Sequence, residues 1–343
     1  MTYDPNKPRI LVALGGRSSE REVSIQSGIA VAEALEQRGY PTAILDTASG
    51  KLLQTPEAHD LEKDPEKLRE VANLPLVDIK RHFQLVFIAM HGKFGEDGIL
   101  QGMFEEVGIP YTGSSPASSA VAMHKAFSKQ IFERNHINTP EWEIIKSVDQ
   151  KPRIGYPLVV KAENQGSSIG VALCQNEADY QLAIKQALEI SDSALIEKMI
   201  KGTEITIGVI EKAGKPMALP VIEIKPKQSF FNYSAKYGDD TDRIVPARIS
   251  PELTKKAQEL AVKVFEILES RHFSRIDMII DEKNELQVLE LNSIPGLTSH
   301  SLLPIGAKAA GISFEDLIEE IVKDALLDKT EPEALQKQPN QLN

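Results

Sequence analysis

The first part of the chain alternates between short apolar runs and segments whose apolar residues recur every three or four positions. The runs RILVAL, TAILD and QLVFIAM predict buried strands, whereas Ser24–Arg38 has the helical period. Gly39, directly after this segment, is a typical helix stop. Because strands that alternate with helices form parallel sheets covered by helices, we expect an α/β domain here.

The rest of the chain is predicted to form two α+β units. Helical patterns end at Asn135 and cover Glu252–Glu269 and Phe314–Leu326. The strand-like runs between them are PLVVKA, GVALC, ALIEKMI, TEITIGVIE and MALPVIEIKP. The fold class is therefore α/β overall, and the domains expected are residues 1–118, 119–202 and 203–328, followed by a polar, disordered tail at 329–343.

Composition narrows the classes of function. The 343 residues carry a net charge of -11, which argues against a nucleic-acid partner or a polybasic membrane contact, because both rely on clustered Lys and Arg. The single cysteine, Cys174, rules out a disulfide within the chain. Apolar runs such as LVFIAM are far shorter than a membrane span, and the N-terminal run is too short for a signal peptide, so we expect a cytoplasmic location.

Charged side chains occupy a predicted hairpin near the C-terminal end, RIDMIIDEKNELQVLELN. A four-residue turn over Glu282–Glu285 determines which residues oppose each other. The pairs on one face are then Arg275 with Asn292, Asp277 with Glu290 and Ile279 with Val288. The other face carries the apolar residues Ile276, Met278, Leu289 and Leu291.

The opposed carboxylates of Asp277 and Glu290 need a positive partner. Their Cβ atoms are expected about 5 Å apart, and two like charges at that distance destabilise a sheet. Together with the amide oxygen of Asn292 they form a set of hard oxygen ligands, which suits Mg²⁺ or Mn²⁺ better than Zn²⁺. The alternative is that Arg275 alone neutralises the pair.

The segment PLVVKAENQGSSIGVALC offers a way to hold phosphates in a chain that has no GxxxxGK[ST] run. Lys161 lies near the end of its first strand, and Lys125 upstream adds a second cation. Small residues let backbone N–H groups approach phosphate oxygens, and those in the loop are Gly166, Ser167, Ser168 and Gly170.

Glu20 lies in ALGGRSSEREVS, between a predicted strand and the start of a helix, where backbone N–H groups gather. Its carboxylate has two interpretations: a favourable partner for the helix dipole, or a group that binds substrate. Gly15, Gly16 and the later Asp46 also leave a dinucleotide site open, although the GxGxxG spacing is absent.

In their order along the chain, these features resemble the ATP-grasp ligases, and most closely the D-alanine–D-alanine ligase family. The segments that carry the resemblance are GGRSSEREVSIQSG, HGKFGEDGILQGMFEEVGIPYTGS, KAENQGSSIGV, YSAKYGDDT, RIDM and LELNSIPGLTSHSLLP, between residues 15 and 304. The resemblance implies a three-domain ATP-grasp fold in which the two α+β domains enclose the nucleotide.

The resemblance also implies a reaction. ATP phosphorylates the carboxylate of one D-alanine, and the amine of a second attacks the acyl phosphate to give D-alanyl-D-alanine, ADP and phosphate for peptidoglycan synthesis. This chemistry requires charge neutralisation around the phosphoryl group and exclusion of water from the acyl phosphate. Two Mg²⁺ ions, with Mn²⁺ as a substitute, and a homodimer are implied as well.

The family pattern assigns roles to the nucleotide and metal residues. Those that would bind ATP are Lys125, Lys161 and Lys236 at the phosphates, Glu197, Lys198, Met199 and Ile200 at the adenine, and Glu204 at the ribose. The run beside the adenine would act mostly through backbone atoms. Those that would hold the two Mg²⁺ ions are Asp277, Glu290 and Asn292.

The family pattern also assigns the groups around the reacting atoms. Arg275 and the backbone N–H of Gly296 would donate to the oxyanion of the tetrahedral intermediate. Glu20 would bind the ammonium of the first D-alanine, close to His91, and Ser301 would bind the carboxylate of the second.

Two further residues are implied at the entrance of the site. Ser167 and Tyr237 would form, together with Glu20, the hydrogen-bonded set that closes a mobile loop. Tyr237 also favours an amine over a hydroxyl nucleophile. Three alternatives stay open. Another ATP-grasp carboxylate–amine ligase would share the hairpin but need not share Glu20, Tyr237 or Ser301. The others are a dinucleotide-binding oxidoreductase and a scaffold without catalytic activity.

Overall fold

The computed structural model describes residues 3–63, 76–164, 166, 170–226 and 241–328. Its strands form three sheets, one in each third of the described chain. Within these ranges, no helix is both long and apolar enough to cross a membrane. The domain boundaries and the tail after residue 328 stay predictions, and the tail lies outside the described residues.

The first sheet has the order β3-β2-β1-β4. Its strands are β1 (Ile10–Leu14), β2 (Thr42–Asp46), β3 (Lys51–Leu53) and β4 (Leu85–Ile88), and its helices are α1 (Arg21–Gln37), α2 (Thr55–Lys63), α3 (Leu76–His82) and α4 (Ile99–Val107). The predicted parallel pairing is confirmed for β1 with β2 and β4, but β3 is antiparallel. Because β3 is short and largely exposed, no apolar run marks it.

The second sheet is antiparallel and has the order β5-β8-β6-β7. Its elements are α5 (Pro116–Met123), α6 (Lys125–Arg134), β5 (Trp142–Ile145), β6 (Leu158–Ala162), β7 (Ala172–Cys174), α7 (Glu177–Ile190) and β8 (Ala194–Lys198). The continuous helical pattern predicted to Asn135 is two helices, because His124 has an extended backbone that interrupts the ladder. This break makes Lys125 the first residue of α6.

The third sheet has the order β12-β11-β9-β13-β14, and β10 also pairs with β9. Its elements are β9 (Gly202–Lys212), β10 (Lys215–Ala218), β11 (Ile222–Pro226), β12 (Thr241–Ile244), α8 (Pro251–Ile267), β13 (Phe273–Asp281), β14 (Leu286–Asn292), α9 (Leu302–Ala309) and α10 (Phe314–Leu327). The run MALPVIEIKP, predicted as one strand, is divided between β10 and β11. Helices α9 and α10 pack into the core of the first sheet, where Leu303 and Leu317 are fully buried.

In the hairpin of β13 and β14, Arg275–Asn292 and Asp277–Glu290 are paired as predicted. The pairing expected from a four-residue turn is wrong, because Ile280 and not Asp281 pairs with Leu286, and Asp281 N donates to Glu285 O. The prediction that Ile279 opposes Val288 is wrong, because a β-bulge after Asp277 shifts the register so that Met278 pairs with Val288. The extra residue places Val288 and Leu291, three apart, in the core, whereas Leu289 is only half-buried.

Candidate active site

The two hairpin carboxylates lie side by side, and each has a basic partner. Arg275 donates to both oxygens of Asp277, from Nε and Nη2, at 2.8 Å each. Lys125 Nζ lies 3.6 Å from Glu290 Oε2. The alternative in which Arg275 alone neutralises both carboxylates is therefore incomplete, because Lys125, at the start of helix α6, reaches the second one.

The oxygen ligands of this hairpin fit a divalent cation. Thr206 Oγ1 and Asn292 Nδ2 donate to Asp277 at 2.6 and 3.0 Å, which fixes the carboxylate on the polar face. With its nitrogen turned to Asp277, the Asn292 side chain keeps its amide oxygen as an acceptor. Two carboxylates and an amide oxygen are the hard donors that Mg²⁺ and Mn²⁺ prefer. The part of the chain that the structure describes has no group of three or more acidic, His or Cys side chains suited to a metal.

A buried cluster of three charges lies at the second sheet, where Glu197 and Lys161 are on neighbouring strands. The Glu197 carboxylate forms ion pairs with Lys161 through one oxygen and with Lys129 through the other. Burial opposes the ionisation of Glu197, but the two ammonium groups outweigh it and lower its pKa to about 2. Glu197 therefore has a side-chain role, which the sequence did not predict for a residue expected to act mostly through its backbone.

The carboxylates that shift the pKa of Lys161 identify the acidic residues close to it. Burial alone would lower its pKa, yet nearby carboxylates outweigh this and raise it, first Glu197 and then Glu290. Glu204, the predicted ribose acceptor, acts on Lys161 in the same direction. The predicted phosphate lysine is thus close to residues predicted for the adenine, the ribose and the metal.

The remaining residues of the predicted adenine run lie at the end of β8. Lys198 is exposed and its N–H donates to Glu141 O at 2.8 Å. The N–H of Met199 donates to Pro157 O at 3.3 Å, and Ile200 is half-buried. Their contact with an adenine stays a prediction.

Glu20 lies at the N-terminus of α1 and is only 3% exposed. In the described chain its side chain caps no N–H of the helix, which argues against a purely helix-capping role. A Cβ added to Gly166 would lie 2.8 Å from Glu20 Oε2, and one added to Gly92 would lie 2.6 Å from the same atom. The carboxylate is therefore held where the first unit meets the Gly/Ser loop.

His91 joins the first sheet to the segment after β14. Its Nδ1 lies 3.0 Å from Ile294 O, which can only accept, so Nδ1 carries the proton. Nε2 then accepts from the Ser27 hydroxyl at 3.0 Å. His91 therefore connects the end of β4 with the segment after β14, and its place beside the first amino acid stays a prediction.

Gly296 and Ser301 lie together at the start of α9. A Cβ added to Gly296 would lie 2.7 Å from Ser301 Oγ, so a larger residue there would displace the Ser301 hydroxyl. Ser301 Oγ in turn accepts from Thr298 N at 3.1 Å. The predicted oxyanion donor and the predicted receptor for the second carboxylate are thus direct neighbours.

One cavity is lined by residues that follow β4, by residues of α5, α6 and the Gly/Ser loop, and by the end of β14. Its lining comprises Glu96, Ala122, Met123, Lys125, Gly166, Glu290, Leu291, Asn292 and Ser293. The residues predicted for phosphates, for the metal and for the loop therefore meet in one place. Ser167, Lys236 and Tyr237 lie outside the described residues, and their roles stay predictions.

Three residues near the site were not predicted from the sequence. Glu96 accepts from Gly92 N at 2.6 Å beside Glu20, and Thr206 bonds Asp277 from the neighbouring strand. Neither has a sequence signal, because both contacts depend on how elements pack. Lys129 did have one, since it lies one helical turn after Lys125 and shares its face.

Asp46 does not serve a dinucleotide. It is completely buried, and its oxygens accept from Arg21 Nη1 and Nη2 at 2.7 and 3.3 Å. Ser49 Oγ donates to it at 2.7 Å as well. Asp46 is part of a structural ion pair with Arg21, so it is not available to bind a dinucleotide as the oxidoreductase alternative requires.

Two antiparallel sheets, with Lys125 and Lys161 close to Glu290 of the acidic hairpin, together with a mostly parallel first sheet define a protein of the ATP-grasp class. Residues 9–114 match the family model for the D-ala D-ala ligase N-terminus, and residues 124–323 match that for its C-terminus. The chain belongs to the D-alanine–D-alanine ligase family.

Relatives of known name cover nearly the whole chain. A D-alanine–D-alanine ligase of Carboxydothermus hydrogenoformans is 40% identical over 327 residues, which is 92% of this chain and 97% of the relative. One from Thermotoga maritima is 37% identical over 320 residues, with 93% and 98% coverage.

Solved structures agree in fold. The D-alanine–D-alanine ligase of Bacillus anthracis complexed with ATP has a TM-score of 0.75 at 29% identity, and the match covers 93% of this chain and 98% of that one. The VanG D-Ala:D-Ser ligase of Enterococcus faecalis has a TM-score of 0.77 at 28% identity, with 93% and 100% coverage.

Proposed function

We propose that this chain joins two D-alanine molecules into D-alanyl-D-alanine at the expense of ATP, in the synthesis of peptidoglycan precursors. The observation that carries the proposal is the cavity in which Lys125, Glu290, Asn292 and Gly166 converge, with Glu20 against the loop glycine. It combines cations for phosphates, oxygens for a divalent ion and a carboxylate for an ammonium group.

The first step forms an acyl phosphate. A carboxylate oxygen of one D-alanine attacks the γ-phosphorus of ATP, the bond to the bridging oxygen breaks, and ADP leaves. Lys125 and Lys161 counter the charge of the phosphates, together with Lys236 by family pattern. A divalent cation held by Asp277, Glu290 and Asn292 supplies further neutralisation when it is bound.

The second step forms the peptide bond. The amine of the second D-alanine, in its neutral form, attacks the acyl carbon. The resulting oxyanion collapses with loss of inorganic phosphate, which takes the proton that the nitrogen loses. Arg275 and the N–H of Gly296 stabilise the oxyanion, and Ser301 orients the second carboxylate. Glu20 holds the ammonium of the first D-alanine, which keeps the acyl phosphate in place for attack.

An assay of phosphate release tests this function. With ATP, Mg²⁺ and D-alanine, we expect phosphate and D-alanyl-D-alanine in equal amounts, and no release above background with L-alanine. D-serine, D-lactate and other amino acids as second substrates separate this reaction from that of another ATP-grasp ligase. Release that is equally fast with L-alanine, or phosphate without dipeptide, would refute the proposal.

The family pattern also indicates the metal ion, the oligomeric state and the cellular location. Mg²⁺ is the expected ion, with Mn²⁺ as a substitute. The chain is expected to act as a homodimer and to work in the cytoplasm, where ATP is available.

A further inference from the structure

Helix α6 carries two lysines on one face, and each meets a different acidic residue of the site. Lys125 Nζ lies 3.6 Å from Glu290 Oε2, on the metal hairpin. Lys129, one turn later, forms an ion pair with Glu197. The first contact belongs to the phosphate and metal chemistry described above, whereas the second has no role there.

Lys129 is the more deeply buried of the two, with a fully inaccessible side chain. Its Nζ also donates to Thr139 Oγ1 at 2.5 Å, and that hydroxyl donates to Val288 O at 2.8 Å. Val288 lies two residues before Glu290 on β14. Through Glu197, Lys129 links α6 to β8. Through Thr139, it links α6 to β14 of the hairpin.

Burying an ammonium group has an energetic cost that packing alone does not explain. Burial lowers the pKa of Lys129, and the Glu197 carboxylate works in the opposite direction. An apolar side chain of similar length would fill the same space without this cost. The charge itself is the feature to be explained.

Lys129 and Lys161 share the Glu197 carboxylate, so these three side chains together hold two positive charges and one negative charge. Glu290 and Glu204 also act on Lys161 from nearby, so the charge of Lys129 offsets part of the surrounding negative charge. If Lys129 were neutral, Glu197 would pair with Lys161 alone, and a phosphate approaching Lys161 would meet one positive charge less, in surroundings where solvent screens little.

We propose that Lys129 is a positioning residue for nucleotide binding, which shares Glu197 with Lys161 and so leaves Lys161 able to attract the ATP phosphates. This inference rests on the proposed function for the identity of the nucleotide. Lys129 reaches no substrate; it acts through Glu197 on Lys161 and through Thr139 on the strand of Glu290.

Calorimetric titration of the full chain with ATP and Mg²⁺ tests the inference. We expect Lys129→Met to bind ATP about 10- to 100-fold more weakly, the order expected when one unit charge is removed from a poorly screened site. Lys129→Gln, which keeps N–H donors for Glu197 and Thr139, should be weakened similarly because it lacks the charge. Lys256→Met is the matched control, since Lys256 is an exposed lysine that pairs with Glu252 on the surface.

Steady-state kinetics separate positioning from a purely structural role. For both Lys129 variants the KM for ATP should rise, while the KM for each D-alanine stays within about twofold of the parent. ATP affinity unchanged in the folded fraction of either variant, even with a lower melting temperature, would overturn the inference. Lys129→Gln with parent affinity and Lys129→Met without it would also overturn it, because hydrogen bonding and not charge would be responsible.

The same measurements distinguish this inference from the proposed function. A parent chain that binds ATP but forms no dipeptide refutes the function, and the comparison of ATP affinities still decides the role of Lys129. A parent chain that forms dipeptide while the variants bind ATP normally refutes the inference alone.

Discussion

Replacement of Glu290 by glutamine is expected to reduce turnover by at least about a thousandfold and to leave the fold intact. Glu290 opposes Asp277 across the hairpin and lies 3.6 Å from Lys125, so it lies between the proposed cation ligands and the lysine proposed to bind phosphate. Glutamine preserves the shape of the side chain but removes the charge that a divalent ion requires. Its side chain is partly exposed, so little stability should be lost.

The test compares initial rates of dipeptide formation across a range of Mg²⁺ concentrations, with circular dichroism and thermal unfolding as checks on the fold. Glu285→Gln is the matched control, because Glu285 is an exposed residue in the turn of the same hairpin. We expect that control to retain the parent rate. Near-normal turnover of Glu290→Gln at ordinary Mg²⁺ would disprove the metal assignment.

Replacement of Glu20 by glutamine should raise the KM for the first D-alanine by about a hundredfold or more. Losing one partner of a desolvated charge pair costs about 2 to 5 kcal/mol, and about 2.7 kcal/mol corresponds to a hundredfold. Glu20 is almost fully buried against Gly166, so an ammonium bound there would have little water to replace the lost charge. ATP binding should be unaffected.

Glu22 provides the control for this experiment. It lies on the same helix, two residues later, and is exposed. Glu22→Gln should therefore behave like the parent chain in the D-alanine titration and in ATP binding. A Glu20 variant with an unchanged KM for both D-alanines would show that this carboxylate serves the helix and not the substrate.

The hairpin shows how far a sequence pattern reaches. The pairing of Asp277 with Glu290 was predicted from a four-residue turn and the alternation of side chains, but the pairs nearer the turn are shifted by one residue, and the bulge restores the predicted register beyond it. The bulge could not be predicted, because Val288 and Leu289 are both apolar and either could face the core. Burial of Val288 was decided by its contacts with the surrounding core cluster, which no local pattern contains.

The other features that the sequence did not predict depend on tertiary contacts. Nothing between Lys129 and Glu197 in the sequence indicates that α6 packs against the end of β8, so their ion pair was not predictable from spacing. The break between α5 and α6 occurs at His124 without a proline or glycine to announce it. Glu20 had two interpretations in the sequence, and its position beside Gly166 depends on packing between distant segments, which no local pattern contains.

The residues that line the cavity are proposed to form an acyl phosphate from D-alanine and ATP. The most direct measurement uses D-alanine labelled with oxygen-18 in its carboxylate, followed by mass analysis of the released phosphate. Because the attacking carboxylate oxygen stays on phosphorus when the amine displaces the phosphate, each phosphate should carry one labelled oxygen. Dipeptide formation with unlabelled phosphate would contradict the account.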